Sequence, residues 1–441
     1  MSDETLTEAR RLLDSGDAMG AFRHLRPALA YPAPTLHEGV DFARAVGLFA
    51  DVAGAIAGPE LAATVAAAST RPDDVNALYD AAYALYESGL HDVAATHLDR
   101  ANRLAPRQVA LLSELVANLE ALLRYGDAAR VLDASGIVDQ APLLTYLAGY
   151  SAMMLGDLDA ARRRVGQLRD APPDVAFMRD ALHGMLLRAD ALTAAGVALG
   201  PRSLTAWHAV INGTVLLHES PYGYDEGMSG RYAFVSDSPG LMREGVERLC
   251  AWLTAVGRRP SRVVAAPDRS SRILALATAR RLQVPVVVWS PGEASDGLVV
   301  AWDLDAVGDP GFLQALHEHA PDQVLFAHAS AWVAPFAYAP DVTTLLYQTI
   351  THPYAGGALR VDPATGQVGP VAADERDIAA LADEVLRDDA GEASRTPLDD
   401  ALAITHALAG LPAEHRLGFR RESGARRRQR AGSPVQSSRF L

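Results

Sequence analysis

Two patterns of apolar and polar positions divide the chain. Up to about residue 195, apolar residues recur at helical spacing and short polar turns interrupt them. The pattern breaks at 196–201, and from about 203 short β-branched runs alternate with helical stretches. The runs predict strands at 209–217, 232–236, 263–266, 284–289, 298–302 and 323–327, with another near 342–347. Helices are expected at 239–256, 271–282, 311–319, 374–387 and 398–411. The expected fold class is an α-helical repeat followed by an α/β domain with a mainly parallel sheet.

The first half repeats. In residues 75–108, Ala82, Ala94 and Ala101 are small, Gly89 sits between two helices, and Pro106 stops the second. Leu78, Leu85 and Leu98 supply bulk around them. Two helices of a hairpin pack closely where small side chains meet, and large ones fill the surrounding groove. Gly16-Asp-Ala-Met-Gly-Ala21, Tyr125-Gly-Asp-Ala-Ala129 and Gly156-Asp-Leu-Asp-Ala-Ala161 repeat the turn and small residues, with Pro173 closing the last unit. Residues 36–70 fit poorly and read as a degenerate hairpin. Four or five hairpins therefore resemble the tetratricopeptide repeat, whose period is about 34 residues. The alternative is a generic Ala-rich bundle. The resemblance implies a superhelical stack that binds another protein on a concave face lined by the first helix of each pair. Candidates for that face are Asn76, Tyr79, Asp80, Tyr83, Glu87, Glu114 and Asn118, with Arg124 beyond them.

Composition removes several chemistries. The chain has no lysine, so its basic residues are all arginine. This excludes a Walker-type phosphate loop, a pyridoxal Schiff base and kinase-type phosphate pairing, which all use a Lys amine. The absence of Lys and the abundance of Ala point to a GC-rich bacterial genome. The single Cys250 allows no internal disulfide and reads as a buried apolar residue. There is no apolar run of membrane-spanning length, and the start is acidic and polar, so cytoplasm is expected. A net charge of −14 disfavours nucleic acid as a partner of the body. The exception is the end, where Arg416, Arg420, Arg421, Arg426, Arg427, Arg428 and Arg430 face one acid, Glu422. That run predicts a disordered tail.

Ligands of parallel sheets sit at the carboxyl ends of the strands. Four loops fall there. Ser236-Asp-Ser-Pro-Gly240 reads as a helix cap, and Ser290-Pro-Gly-Glu293 as a turn. Asp268, Arg269, Ser270, Ser271 and Arg272 combine hydroxyls, guanidiniums and amides at a helix start and form the best anion site. Asp303 and Asp305 offer carboxylates to ribose hydroxyls or to a divalent metal. Thr351-His-Pro-Tyr354, next to Gly356-Gly357, reads as a turn. His317 and His319, two apart on an expected helix, do not converge on a metal.

Residues 263–288 and 298–305 are similar to the centre of type I phosphoribosyltransferases. In that family a loop after one strand cradles pyrophosphate, and two acids ending a later strand hold the ribose. The resemblance implies a Rossmann-like, nucleotide-handling plan; no cofactor is expected, unless Mg²⁺ accompanies a phosphorylated ligand. Here Leu304 separates the acids, 306–310 carry no Thr or Ser, and 268–272 carry no Gly. The expected organisation is tetratricopeptide-like repeats at 1–195, an α/β domain at 200–388, and a partly helical linker with an arginine-rich tail at 389–441. The expected function is an interaction adaptor whose α/β domain is catalytically weak or silent, with no catalytic residue assigned. The alternative is a phosphoribosyltransferase-like or nucleotide-binding enzyme regulated through its repeats. Nucleic acid enters only through the tail.

Overall fold

The computed structural model describes residues 2–222, 227–292, 296–356, 359–361, 368–389, 398–417 and 424–439. It divides into two compact units, Met1–Leu182 and His183–Leu441.

The first unit is a helical stack. Five hairpins follow one another: α1 (Asp3–Asp14) with α2 (Ala18–Leu29), α3 (Gly39–Ala57) with α4 (Pro59–Thr70), α5 (Val75–Glu87) with α6 (His91–Leu104), α7 (Val109–Ala121) with α8 (Tyr125–Ser135), and α9 (Pro142–Met154) with α10 (Leu158–Gln167). Each hairpin packs on the next through α2–α3, α4–α5, α6–α7 and α8–α9. Ala82, Ala94, Ala101, Leu78, Leu85 and Leu98 are all buried, as the repeat pattern expects. Each of the three leucines contributes about 2 kcal/mol relative to exposure. Asp17, Asp74 and Asp157 accept amides of the following helix and so fix where α2, α5 and α10 begin.

The poorly patterned stretch 36–70 is a hairpin after all, and a neighbour pins it. Arg100 of α6, largely buried, donates to the carbonyls of Pro72 (2.6 Å) and His37 (2.8 Å) and lies over the Phe42 ring. One expected turn is misplaced. Gly16, Gly89 and Gly156 take positive φ between helices, but in the third such turn that role falls to Leu123 (φ 58°), while Gly126 lies in the first turn of α8. Pro173 opens a helix, α11 (Pro173–Ala194), rather than closing one. Pro suits a first helical turn because its missing N–H would be unpaired there anyway.

The second unit is built on a parallel sheet. Its strands are β1 (Val215–Leu216), β2 (Tyr232–Ser236), β3 (Val263–Ala265), β4 (Val286–Val288), β5 (Leu298–Asp303), β7 (Val324–Ala331) and β8 (Val342–Thr351). The order is β1-β8-β7-β5-β3-β4, with β2 also on β8, and every pairing in this sheet is parallel. β5 and β7 are buried along their whole length, as a sheet covered on both faces requires. The helices are α12 (Leu204–Asn212), α13 (Pro239–Ala255), α14 (Arg269–Leu282), α15 (Pro310–Ala315), α16 (Ile378–Arg387) and α17 (Asp399–Leu408). Two short antiparallel pairs complete it: β9 (Leu359–Val361) with β10 (Val368–Pro370), and β6 (Glu318–His319) with β11 (Gly424–Ala425). The expected strand at 209–217 is split: its first four residues belong to α12, which Gly213 ends at positive φ, and Val215–Leu216 form β1. A wholly buried apolar run has no polar face to reveal its period.

The arginine-rich tail departs from the expected disorder. Within 424–439, Arg426, Gln429 and Val435 are buried. Arg420, Arg421 and Glu422 lie outside the described residues. Cys250 is buried, as expected, and burial pushes its thiol up to about 11.

Candidate functional site

The strand order reverses beside β3. From β3 the chain passes through α14 to β4 on one side, while β5, β7 and β8 extend on the other. The crevice at the carboxyl ends of β3 and β5 is therefore the switch point at which such sheets bind ligands. The two expected site loops meet there. Asp268 ends the β3 loop, Asp303 ends β5, and the charges of Asp305 and Asp268 both act on Asp303.

The individual side chains are largely committed to the fold. Asp268 caps α14, its Oδ1 accepting the Ser271 amide at 2.9 Å. A carboxylate thus sits where a phosphate would sit. Its other oxygen, Oδ2, is buried with no hydrogen-bond partner, and burial raises the Asp268 pKa. Ser271 is fully buried, and its hydroxyl accepts the Trp302 amide at 2.8 Å. Arg269 donates to the carbonyls of Asp374 and Arg376. Ser270 is half-buried and Arg272 exposed. Asp303 is buried and accepts from the Tyr347 hydroxyl and the Asp305 amide. Burial, with Asp305 and Asp268 nearby, pushes it up to about 7. Asp305 is exposed. Among the described residues, no three His, Cys, Asp or Glu side chains are grouped to hold a metal.

Sequence reasoning missed a second polar cluster beside this crevice. Asp237, between β2 and α13, is buried and accepts from Trp302 Nε1 at 2.7 Å and from the Ser238 amide at 2.8 Å. His328 of β7 lies 3.5 Å from the same carboxylate. His352 meets Trp302 edge-on at 4.5 Å and neighbours Tyr354. Its Nδ1 accepts the Tyr354 amide at 3.0 Å, which leaves the proton on Nε2. His352 Nε2, the Tyr354 hydroxyl and both nitrogens of His328 are buried without hydrogen-bond partners. Desolvation lowers His352 to about 4, so it is neutral at pH 7. The available signal was a lone His in the apolar run Val324–Ala331, and Thr351-His-Pro-Tyr354 read as a turn concealed the rest.

In the helical unit, α5 presents Asn76, Asp80, Tyr83 and Glu87 to solvent, Tyr83 at 58% exposure. Tyr79 is half-buried and lies close enough to Glu114 of α7 for that carboxylate to help burial raise its pKa. Asn118 does not join this face. It is buried and bonds inward, to the Glu114 carbonyl and the His91 ring. Arg124 is turned to Asp127 and the Tyr31 carbonyl.

The chain matches no protein-family model and no curated protein.

Proposed function

We propose that this protein is an interaction adaptor that holds a partner protein on the exposed face of its helical stack. The observation that carries the reading is the α5 surface. Tyr83 stands out into solvent among Asn76, Asp80 and Glu87, and Glu114 approaches Tyr79 from α7. Neither α5 nor α7 contains an arginine. Such a face suits a basic segment, with the tyrosine as its anchor. The tetratricopeptide resemblance points the same way. The α/β unit then serves binding rather than turnover, because its best anion loop spends Asp268 on its own helix and Arg269 on two carbonyls. The test is affinity capture from the native host with the full chain and with Tyr83→Ala/Glu87→Arg. A partner held by the first and lost by the second, at unchanged melting temperature, supports the reading. Equal capture by both removes it.

A phosphoribosyl- or nucleotide-binding role is the second reading, and the meeting of the Asp268 and Asp303 loops at the switch point favours it. A thermal-shift titration with phosphoribosyl pyrophosphate, nucleotides and Mg²⁺ tests it. No shift at millimolar ligand would end it.

A further inference from the structure

The C-terminal segment 424–439 has almost no secondary structure of its own, and its bonds run to the body of the α/β unit. The Arg426 amide donates to the His317 carbonyl (2.9 Å), and the Gly432 amide to that of Trp332 (3.0 Å). In return the segment's carbonyls accept: Arg427 from the Ala339 amide (2.7 Å) and Gln429 from the Phe336 amide (3.2 Å). The Arg430 amide bonds Asn212 Oδ1 (2.7 Å), and the Ser438 amide bonds the Gly227 carbonyl (2.9 Å). These main-chain bonds fix direction and register, as when an extended peptide is taken along a sheet.

Side-chain pockets add selectivity. Arg426 reaches Asp341 Oδ1 at 2.7 Å and also Gln323, with His319 at the pocket wall. Three residues on, Gln429 Nε2 donates to the Ala331 carbonyl at 2.9 Å. Val435 is buried, and its carbonyl accepts from Arg231, whose guanidinium lies over Trp332. Gly213 leaves room for the Arg427 guanidinium, which lies where a Cβ would stand. A segment that only closed a core would do as well or better with apolar anchors, since a buried ion pair commonly repays little more than its desolvation cost. What the pair supplies is discrimination, because an uncharged or acidic residue there leaves the buried Asp341 without a cation.

We propose that this groove is a recognition site for an extended, arginine-anchored peptide, occupied in cis by residues 424–439 and able to take a segment of the same chemistry supplied in trans. The trans ligand carries Arg at the anchor, Gln three residues later and a small apolar residue nine positions after the anchor. The cis segment competes for the groove and so sets the threshold for the partner.

The test uses the full-length chain and a labelled synthetic peptide of sequence 424–439. The Arg426→Ala chain, with its cis anchor weakened, takes up the peptide at least tenfold more tightly than the wild-type chain. A peptide carrying the same substitution loses at least tenfold on either chain. In the wild-type chain, excess peptide accelerates hydrogen exchange at the cis Arg426 and Gly432 amides while the Ala266 amide, bonded to the Val300 carbonyl within the sheet, stays protected. This second measurement holds even where Arg426→Ala proves poorly folded. If excess peptide leaves the cis amides unchanged, or if both peptides bind alike, the segment is permanent structure and the proposal fails.

Discussion

Arg426 Nη1 lies 2.7 Å from Asp341 Oδ1, and both side chains are sealed from solvent, 2% and 0% exposed. Asp341 uses its other oxygen to accept the Leu325 amide at 2.7 Å, so one carboxylate joins the C-terminal segment to the start of β7. Removing either partner leaves the other charged and buried. Arg426→Ala or Asp341→Ala should each cost about 3–5 kcal/mol. The double substitution Arg426→Ala/Asp341→Ala should cost clearly less than the sum of the two. Urea denaturation of the four proteins checks this, and simple additivity would show that the pair is not coupled.

Gly245 in α13 lies against His328 and Thr344. A Cβ there would stand 2.5 Å from His328 Nδ1 and 2.7 Å from Thr344 Oγ1. Alanine favours a helix over glycine by about 1 kcal/mol. The clash outweighs this, because His328 and Thr344 are fully buried and cannot step aside. Gly245→Ala should therefore destabilise by about 1–3 kcal/mol. Calorimetry beside Gly257→Ala is not a fair control, since Gly257 takes positive φ; Gly166→Ala, at an open helical site, is. Gly166→Ala should be neutral or stabilising.

Asp303 supplies a pH dependence of determined sign. Its folded-state pKa, about 7, lies above its ordinary 3.8, first because of burial. Between those values the folded chain holds a proton that the unfolded chain has released. Its contribution to stability is present below about pH 4 and is lost as pH rises to about 7. Asp303→Asn keeps an acceptor for the Tyr347 hydroxyl but cannot ionise. The stability difference, wild type minus Asp303→Asn, should fall across that window in denaturation curves taken at several pH values. The difference matters because His97 and His352, both lowered to about 4, push the wild-type curve the opposite way between 4 and 6.5.

Gln283 ends α14 at φ 58°, ψ 42°, exposed to solvent. The left-handed region costs a side-chain-bearing residue about 1–2 kcal/mol, and glycine pays part of that back in chain entropy. Gln283→Gly should raise stability by about 0.5–1 kcal/mol and raise the melting temperature measured by circular dichroism.

The helical stack and the alternation of strands with helices were legible because both are periodic. Ala82, Ala94 and Ala101 repeat with the hairpin, and the apolar runs at β3, β5 and β7 have the length of buried strands. The turn at Leu123 was not legible, because a residue forced into positive φ by its neighbours carries no glycine to announce it. In the candidate site, Asp268 and Asp303 were found from their places after strands. Asp237, His328 and His352 were not, because they stand on three different elements and acquire a common meaning only when β2, β7 and β8 lie side by side.

The sequence by itself determined the fold class, the repeat and the exclusion of lysine chemistry, since each depends on local spacing or on composition. The tertiary structure alone decided how the charges are spent. Seven arginines in fifteen residues have the composition of a solvated tail, yet Arg426 is buried because Asp341, 85 positions away, waits at the start of β8. The amides at the start of α14 could have faced a phosphate, yet Asp268 caps them because the backbone turns there with the Ser271 amide in reach. A charge's partner is set by distance in space, and no pattern along the chain encodes that distance.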